Sequence, residues 1–210
     1  MLGLLTLDQR LFRLCYAAGG GHLLPLMIAA TIVGSGWTMF ALVPLLIREA
    51  TRKWALALTL TLLATAVAVF ALKMSCGRAR PIFALAGVHP LYGSPTDFSF
   101  PSGHSAGSFA TAAFVSTVGL HRARQAPEAA RAMYLVSAFM MALATTIAYS
   151  RIYLGVHFPG DVLVGGVLGA SLGVAGGLAY VARGAREAET AAMGDKSAAK
   201  LAPDDVAGAD

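Results

Sequence analysis

Three residues with catalytic potential lie in one short stretch at the edge of a long apolar run. The stretch SRIYLGVHFPGD, residues 150–161, contains Arg151, His157 and Asp161. His157 precedes Asp161 by four residues, and Pro159 favours the start of a helix between them. This spacing lets the carboxylate hold one imidazole nitrogen and leaves the other free to attack an electrophile. Arg151 carries a planar fork of donors that suits phosphate oxygens. The alternative is an ion pair between Arg151 and Asp161 beside a structural histidine.

A second segment, KMSCGRARP at residues 73–81, contributes two cations. Lys73 and Arg80 are two helical turns apart, so the spacing predicts that they share one helix face. Pro81 disfavours helix at Arg80, so the helix is expected to end there. The pair could clamp a phosphate, or both side chains could extend to lipid headgroups. Arg78 falls on a different face, and we expect it to contact headgroups.

A third segment, FPSGHS at residues 100–105, has the pattern of a helix start. Ser102 is predicted to cap the helix, with Gly103 and His104 in its first turn. The free N–H groups and positive dipole of a helix N-terminus favour anions. His104 could donate a proton to a leaving oxygen. An ordinary capped helix with an interfacial histidine is the alternative.

The composition indicates an integral membrane protein. Of the 210 residues, 57% are hydrophobic and 13% are charged, whereas soluble domains carry roughly 25% charged residues. The mean hydropathy is +0.66. The net charge of +5 comes from short basic clusters between apolar runs, a pattern typical of membrane topology. We expect no nucleic-acid partner.

The apolar runs predict an all-α, polytopic transmembrane helical bundle. A helix of about 20 apolar residues crosses a bilayer, and five stretches are long enough. An N-terminal helix carrying Asp8, Arg10 and Arg13 is expected to lie at the interface, although it could be a sixth span. The prediction is therefore six helices, with residues 1–183 embedded in the membrane and a disordered cytoplasmic tail at 184–210. The predicted spans are residues 23–47, 54–72, 102–120, 132–149 and 160–182.

Basic residues in the connections predict the orientation of the bundle, because they concentrate on the cytoplasmic side. With five spans, one side collects most of them and the other side carries the three segments described above. We therefore expect a multi-pass protein of the cell (inner) membrane whose candidate site is extracytoplasmic. The predicted cytoplasmic basic residues are Arg48, Arg52, Lys53, Arg122, Arg124, Arg131, Arg183, Arg186, Lys196 and Lys200.

Several other residues leave alternatives open. Gly165, Gly169, Gly173 and Gly177 follow the small-xxx-small pattern of close helix packing, either inside the chain or in a homodimer through the fifth span. Cys15 and Cys76 lack metal-ligand spacing, and both fall on the outer side, where a disulfide could form. His89 and Asp97 lie in the outer connection between the first two segments, where they could contact a substrate headgroup.

In combination, the three segments resemble the three signature motifs of the type-2 phosphatidic acid phosphatase superfamily. Those motifs read K-x6-R-P, P-S-G-H and S-R-x5-H-x3-D, and this chain matches them in order and spacing. The resemblance implies that His157 is the nucleophile and forms a phosphohistidine, with Asp161 orienting its ring. It implies that His104 protonates the leaving group. It also assigns phosphate binding to Lys73, Arg80, Ser102, Gly103 and Arg151.

The resemblance further implies a metal-independent hydrolase without a cofactor that acts on a membrane lipid phosphate or diphosphate. Undecaprenyl diphosphate, phosphatidylglycerophosphate, phosphatidic acid and lipid A are all compatible substrates, and the short outer loop favours the first. One alternative is a non-enzymatic lipid-phosphate carrier that uses the same cations for binding only. A vanadate-dependent peroxidase is another.

Overall fold

The computed structural model describes residues 2–17 and 21–201, and all regular structure in these ranges is helical. Short 3-10 turns at Gly36–Leu42 and Pro127–Ala129 join some of the α-helices. The all-helical prediction is therefore confirmed for the described residues. The α-helices are α1 (Leu2–Ala17), α2 (Leu24–Val33), α3 (Val43–Ile47), α4 (Glu49–Cys76), α5 (Pro81–Ala84), α6 (Gly103–Gln125), α7 (Ala130–Tyr153) and α8 (Pro159–Leu201).

Within the described residues, three helical segments are long and apolar enough to cross a membrane: Glu49–Ala84, Pro127–Tyr153 and Pro159–Asp195. They contain the predicted second, fourth and fifth spans. The predicted third span coincides with α6, which is less apolar because it carries many serine, threonine and glycine residues. The number of five spans remains a prediction.

The predicted first span, residues 23–47, is not one continuous helix. It consists of α2, the 3-10 turn and the short α3. The chain leaves α2 at Gly34 and becomes extended at Ser35, whose hydroxyl donates to the carbonyl of Ile32 at 2.6 Å. Pro44 lies in the first turn of the next helix, a position that suits proline. The apolar composition alone did not reveal this break.

The C-terminal segment also differs from its prediction. Where disorder was expected from residue 184, α8 continues as helix to Leu201, and residues 202–210 lie outside the described ranges. Glu187 accepts from Arg183 one turn earlier at 3.0 Å and from Lys53 of α4 at 2.5 Å. Alanine-rich sequence with such pairs favours helix even where little surface is buried.

Helix α8 packs on α6 through its glycine face, and this contact forms the centre of the bundle. A Cβ atom added at Gly169 would lie 2.0 Å from the carbonyl oxygen of Ala106, and one at Gly165 would lie 2.5 Å from that of Ser102. The corresponding distances to α6 are 2.3 Å at Gly173 and 2.8 Å at Gly177. Of the two alternatives for this face, packing inside the chain is therefore the one found, and these four glycines are covered by α6.

Helix α1 docks on α7 and α8 beside the end of the bundle where α6 and α8 begin. Its Phe12 is fully buried, with ring centroids 5.5 Å from Phe158 and 5.4 Å from Tyr16. The Tyr16 hydroxyl donates to the carbonyl of His89 at 2.8 Å. Cys15 and Cys76 are free thiols rather than a disulfide. The N-terminal helix is confirmed as a helix, and its depth in the membrane stays a prediction.

Candidate active site

The three motif segments meet where α4 ends, α6 begins and the α7–α8 connection turns. Backbone hydrogen bonds join them: Ser102 N–H donates to the carbonyl of Asp161 at 3.0 Å, and Ser99 N–H donates to that of Arg78 at 2.7 Å. The close α6–α8 packing brings the second and third segments to this junction. Segments far apart in sequence thus form one cluster.

His157 lies in the α7–α8 connection and is held from both sides of its ring. Its Nδ1 is 3.5 Å from Asp161 Oδ2 and 3.4 Å from the hydroxyl of Ser99. Its Nε2 is 3.0 Å from a guanidinium nitrogen of Arg80. Because arginine can only donate, Nε2 must accept and the ring proton belongs on Nδ1. This tautomer leaves the Nε2 lone pair as the nucleophilic one.

Burial keeps this imidazole neutral. His157 is 2% exposed. Burial lowers the pKa of His157 to about 4, although the hydrogen bond with Asp161 acts in the opposite direction. A neutral ring is the form that can attack phosphorus.

Asp161 is fully buried in the first turn of α8 and is well supplied with donors. Its Oδ2 accepts from the Ser99 hydroxyl at 2.5 Å and from the N–H of Phe158 at 2.9 Å. The bond to Phe158 also satisfies a free N–H at the helix start. Asp161 thereby fixes the end of α8 and the His157 ring together.

The two cations of the first motif converge by a different route from the predicted one. Helix α4 ends at Cys76, because Gly77 adopts the left-handed conformation at φ 57°. Lys73 and Arg80 are therefore not on one helix face. They meet at Asp97, whose carboxylate oxygens lie 2.9 Å from Lys73 Nζ and 2.7 Å from Arg80 Nη2.

Asp97 thus forms ion pairs with two of the residues predicted to bind phosphate. Its side chain is 57% exposed. Partial burial acts to raise the pKa of Asp97, but hydrogen bonds and charges from Lys73 and Arg80 outweigh it and lower the pKa. Asp97 is therefore a carboxylate at neutral pH, in the position that a competing anion would take.

Arg151 lies in the last turn of α7 and is 7% exposed. One of its terminal nitrogens donates to the hydroxyl of Thr31 in α2. Its Nε has no hydrogen-bond partner among the described residues. A buried donor without an acceptor is costly, so a ligand oxygen at this point would be favourable.

Ser102 caps α6 as predicted, accepting from the N–H of Ser105 at 3.4 Å. Gly103 and His104 occupy the first turn. His104 is close enough to Arg151, His157 and Arg80 for their charges to interact. The second motif therefore faces the same space as the other two.

An apolar cavity of about 470 Å³ opens beside this cluster. Lys73, Gly103 and His104 line its polar end, and α2, α4, α6 and α7 contribute its apolar wall. The wall residues include Leu62, Val69, Met140, Leu143 and Ile147. A molecule with an anionic end and a hydrocarbon tail would fit this distribution of polar and apolar surface.

Sequence reasoning missed three residues of the cluster. Arg78, which we expected at lipid headgroups, instead donates to Asp161 Oδ1 at 2.7 Å and to Asp8 Oδ2 at 2.6 Å. Ser99 joins His157 to Asp161. One signal could have identified Arg78 and Asp8, since ionisable residues in an apolar chain are functional candidates by default.

Comparisons with known proteins agree with this arrangement. The family model described as the PAP2 superfamily matches residues 54–184. The crystal structure of LpxE from Aquifex aeolicus superimposes with a TM-score of 0.64 and 30% identity, covering 81% of this chain and 94% of that one.

Two curated relatives are similar over shorter regions. The lipid A 4'-phosphatase of Bacteroides thetaiotaomicron is 39% identical over 72 residues, 34% of this chain and 27% of that protein. The undecaprenyl-diphosphatase of Sulfolobus acidocaldarius is 31% identical over 125 residues, 60% of this chain and 54% of that protein. The chain therefore spans about half or less of these relatives.

Proposed function

The chain belongs to the PAP2 superfamily, and on that premise we propose that it is a membrane phosphatase that hydrolyses a lipid phosphate or diphosphate through a phosphohistidine. The observation that carries this proposal is the buried, neutral His157, whose Nδ1 lies beside Asp161 and whose Nε2 contacts Arg80. Both similar relatives are named as phosphatases of lipids.

In the first step, Nε2 of His157 forms a bond to phosphorus and the bond from phosphorus to the leaving oxygen breaks. That oxygen takes a proton from His104. The phosphorylated imidazole keeps its Nδ1 proton, and the Asp161 carboxylate stabilises its positive charge. When the substrate binds, the hydrogen bond from Arg80 to Nε2 must break so that the Nε2 lone pair is free to attack.

In the second step, His104 takes a proton from water as the water oxygen attacks phosphorus. The bond from phosphorus to Nε2 breaks, its electron pair returns to His157, and inorganic phosphate leaves. Lys73, Arg80 and Arg151 hold the phosphate oxygens with Ser102 and the Gly103 backbone. Fixed cations and N–H groups stabilise charge that develops on the phosphoryl group.

The apolar cavity supports a lipid substrate. Lys73 and His104 line it, and two of the helices that form its wall, α4 and α7, are long and apolar enough to cross a bilayer. Each methylene group removed from water contributes about 0.8 kcal/mol. A tail lying in this cavity would therefore account for much of the binding free energy.

We propose that the reaction needs no metal. Among residues 2–17 and 21–201, no three His, Cys, Asp or Glu side chains form a group that could hold a metal ion. Activity that persists in excess EDTA is the expected outcome, and activity lost in EDTA and restored by a divalent cation would contradict this part of the proposal.

A substrate panel tests the proposed function. The detergent-purified protein would be compared by kcat/KM on undecaprenyl diphosphate, phosphatidylglycerophosphate, phosphatidic acid, a lipid A analogue and a water-soluble short-chain phosphate. We expect release of phosphate from at least one lipid, and a loss of release in His157→Ala. No release from any of the lipids would favour a carrier instead.

One variant tests the cavity in the same assay. Gly107 lines the cavity, and a Cβ atom there would meet nothing within 4 Å. Gly107→Leu should raise KM for the lipid by about tenfold, the equivalent of about two lost methylenes. KM for the short-chain phosphate should not change, and Gly107→Ala is the matched control. An equal effect on both substrates would argue against the cavity as the tail site.

A further inference from the structure

Two charged residues that the proposed reaction does not use, Arg78 and Asp8, form a chain of ion pairs that begins at Asp161. Arg78 follows the end of α4, and Asp8 belongs to α1. The Arg78 fork divides between two carboxylates, donating to Asp161 Oδ1 at 2.7 Å and to Asp8 Oδ2 at 2.6 Å. The Arg78 and Asp8 side chains are largely buried, and Asp161 is fully buried.

We propose that Asp8 and Arg78 are positioning residues that hold Asp161, and through it His157, so that α1 is part of the active site. This inference rests on the proposed function. Neither residue touches the reacting atoms in this account. They act through the carboxylate that orients the nucleophile.

The bonds of Asp161 show why Arg78 is needed. Its Oδ2 has two donors, Ser99 and the N–H of Phe158, whereas Arg78 is the only donor shown for its Oδ1 in the described part of the chain. Arg78 is also the cation paired with this carboxylate. Removing one partner of a buried ion pair leaves an uncompensated charge. Without Arg78, the Asp161 carboxylate would move, or its uncompensated negative charge would act on His157 alone.

Asp8 in turn fixes Arg78 and the start of α8. Its Oδ1 accepts from the N–H of Gly160 at 2.8 Å, while Oδ2 accepts from Arg78. A Cβ atom at Gly160 would lie 3.1 Å from Asp8 Oδ2, so glycine permits this close approach. A carboxylate at a helix N-terminus is favourable because of the free N–H groups and the helix dipole.

Aromatic contacts support the same arrangement. The Arg78 guanidinium lies 4.3 Å from the centroid of the Phe158 ring. Phe158 also packs edge-on against Phe12 of α1. Two neighbours of the catalytic pair, Phe158 and Gly160, are thus held by α1. The family match begins at residue 54, so α1 lies outside the region that the family pattern describes.

The experiment combines kinetics with a titration that needs no substrate. The variants are Arg78→Gln, Arg78→Lys, Asp8→Asn and the double variant Asp8→Asn/Arg78→Gln. Arg10→Gln, an exposed charge change on the same helix, is the matched control. The pKa of His157 is followed by NMR of the ring signals, which are few because the chain has five histidines. A His157→Gln spectrum assigns the signal.

We expect Asp8→Asn and Arg78→Gln to lower kcat by about tenfold to 100-fold, a range that loss of orientation can produce, with KM within about twofold. Arg78→Gln should raise the pKa of His157 by about one unit, because the unpaired carboxylate favours the imidazolium. Arg78→Lys should lower kcat less, and raise the pKa of His157 less, than Arg78→Gln does. The double variant should be slower than Arg78→Gln by less than the factor that Asp8→Asn costs alone, since Asp8 acts in part through Arg78.

An unmoved His157 pKa in Arg78→Gln, or kcat effects that multiply in the double variant, would overturn the inference. If Arg78→Gln does not fold, wild-type kcat in Arg78→Lys and Asp8→Asn would overturn it equally. If the wild-type protein releases no phosphate from any lipid, the proposed function fails, and the His157 titration still decides whether Arg78 controls this ring.

Discussion

At the residue scale, the ring of His157 connects the two halves of the site. On its Nδ1 side lie Asp161 and Ser99, which fix the tautomer, and on its Nε2 side lies Arg80. Burial makes the neutral form the stable one. The proposed nucleophile therefore needs no separate base to deprotonate it at neutral pH.

The pH dependence of kcat/KM should reflect the lowered pKa of His157. An ordinary imidazole titrates near about 6.5, whereas the pKa of His157 is lowered to about 4. Because only the neutral ring can attack, the acid limb of the profile should fall as pH drops through about 4, while the need for a protonated His104 acts on the alkaline limb. The measurement is kcat/KM against pH for two lipids whose phosphates ionise differently. Return to pH 7 after acid incubation controls for unfolding, and a limb near 6.5 with both lipids would contradict the assignment.

Asp97 should compete with phosphate for Lys73 and Arg80. Removing its charge in Asp97→Asn frees both cations, so inorganic phosphate should inhibit at a lower concentration. Because Asp97 is largely exposed, the expected fall in Ki is about fivefold. Inhibition kinetics measure it, with His89→Gln in the same loop as the control. An unchanged or higher Ki in Asp97→Asn would show that the carboxylate does not occupy the phosphate position.

The predicted residues of the site could be found from sequence because their types and spacing repeat a known pattern. Lys73, Arg80, His104, Arg151, His157 and Asp161 do lie together. The predicted reason for the first pair, a shared helix face, was wrong because Gly77 ends α4 early. Asp8 was not assigned to the site, and Asp97 was considered only as a headgroup contact, since their partners lie far away in sequence and only the fold brings them close.

At the scale of elements, the contact of α8 with α6 sets the distance between the second and third motifs. Four glycines of α8 face α6 at separations that leave no room for a side chain. The backbone bond from Ser102 to Asp161 lies at the end of this contact. The geometry of the site therefore depends on helix packing some distance from it.

Gly169→Ala should disrupt both stability and activity. The new Cβ atom would lie 2.0 Å from the carbonyl oxygen of Ala106, so the helices must move apart. Overpacking of this kind costs about 1–3 kcal/mol, and kcat should fall with the thermal midpoint in detergent. Gly184→Ala, in the same helix with nothing within 4 Å, should be neutral or stabilising. Equal midpoints for the two variants would refute the role of this contact.

Element types were predictable and element ends were not. Apolar runs of membrane length identified α4, α7 and α8, because composition determines where such helices occur. The break after α2 depends on Gly34, Ser35 and Pro44, which are too few to change the composition of residues 23–47. The helix beyond residue 184 forms through local alanine propensity and ion pairs rather than burial.

At the scale of the whole molecule, the two ends of the bundle differ in charge and in role. The motif cluster lies at one end. Lys53 at the start of α4 pairs with Glu187 of α8 at the other, where the basic connections also lie. The charge rule therefore places the active site outside the cytoplasm in our proposal.

A reporter fused after Asp210 tests this orientation. We expect a fluorescent protein to fluoresce there and alkaline phosphatase to be inactive there, because the basic end should remain in the cytoplasm. The comparison uses both fusions expressed at matched levels. Active alkaline phosphatase at this position would reverse the orientation.

A phosphohistidine at His157 can be observed directly. The wild-type protein would be mixed with lipid phosphate carrying ³²P, quenched in alkaline detergent within milliseconds, and digested with trypsin. We predict label on the tryptic peptide of residues 152–183, which contains His157 but not His104. The label should disappear in His157→Asn and in a chase with unlabelled substrate. Phosphate release that continues in His157→Asn, or label on another peptide, would contradict the account.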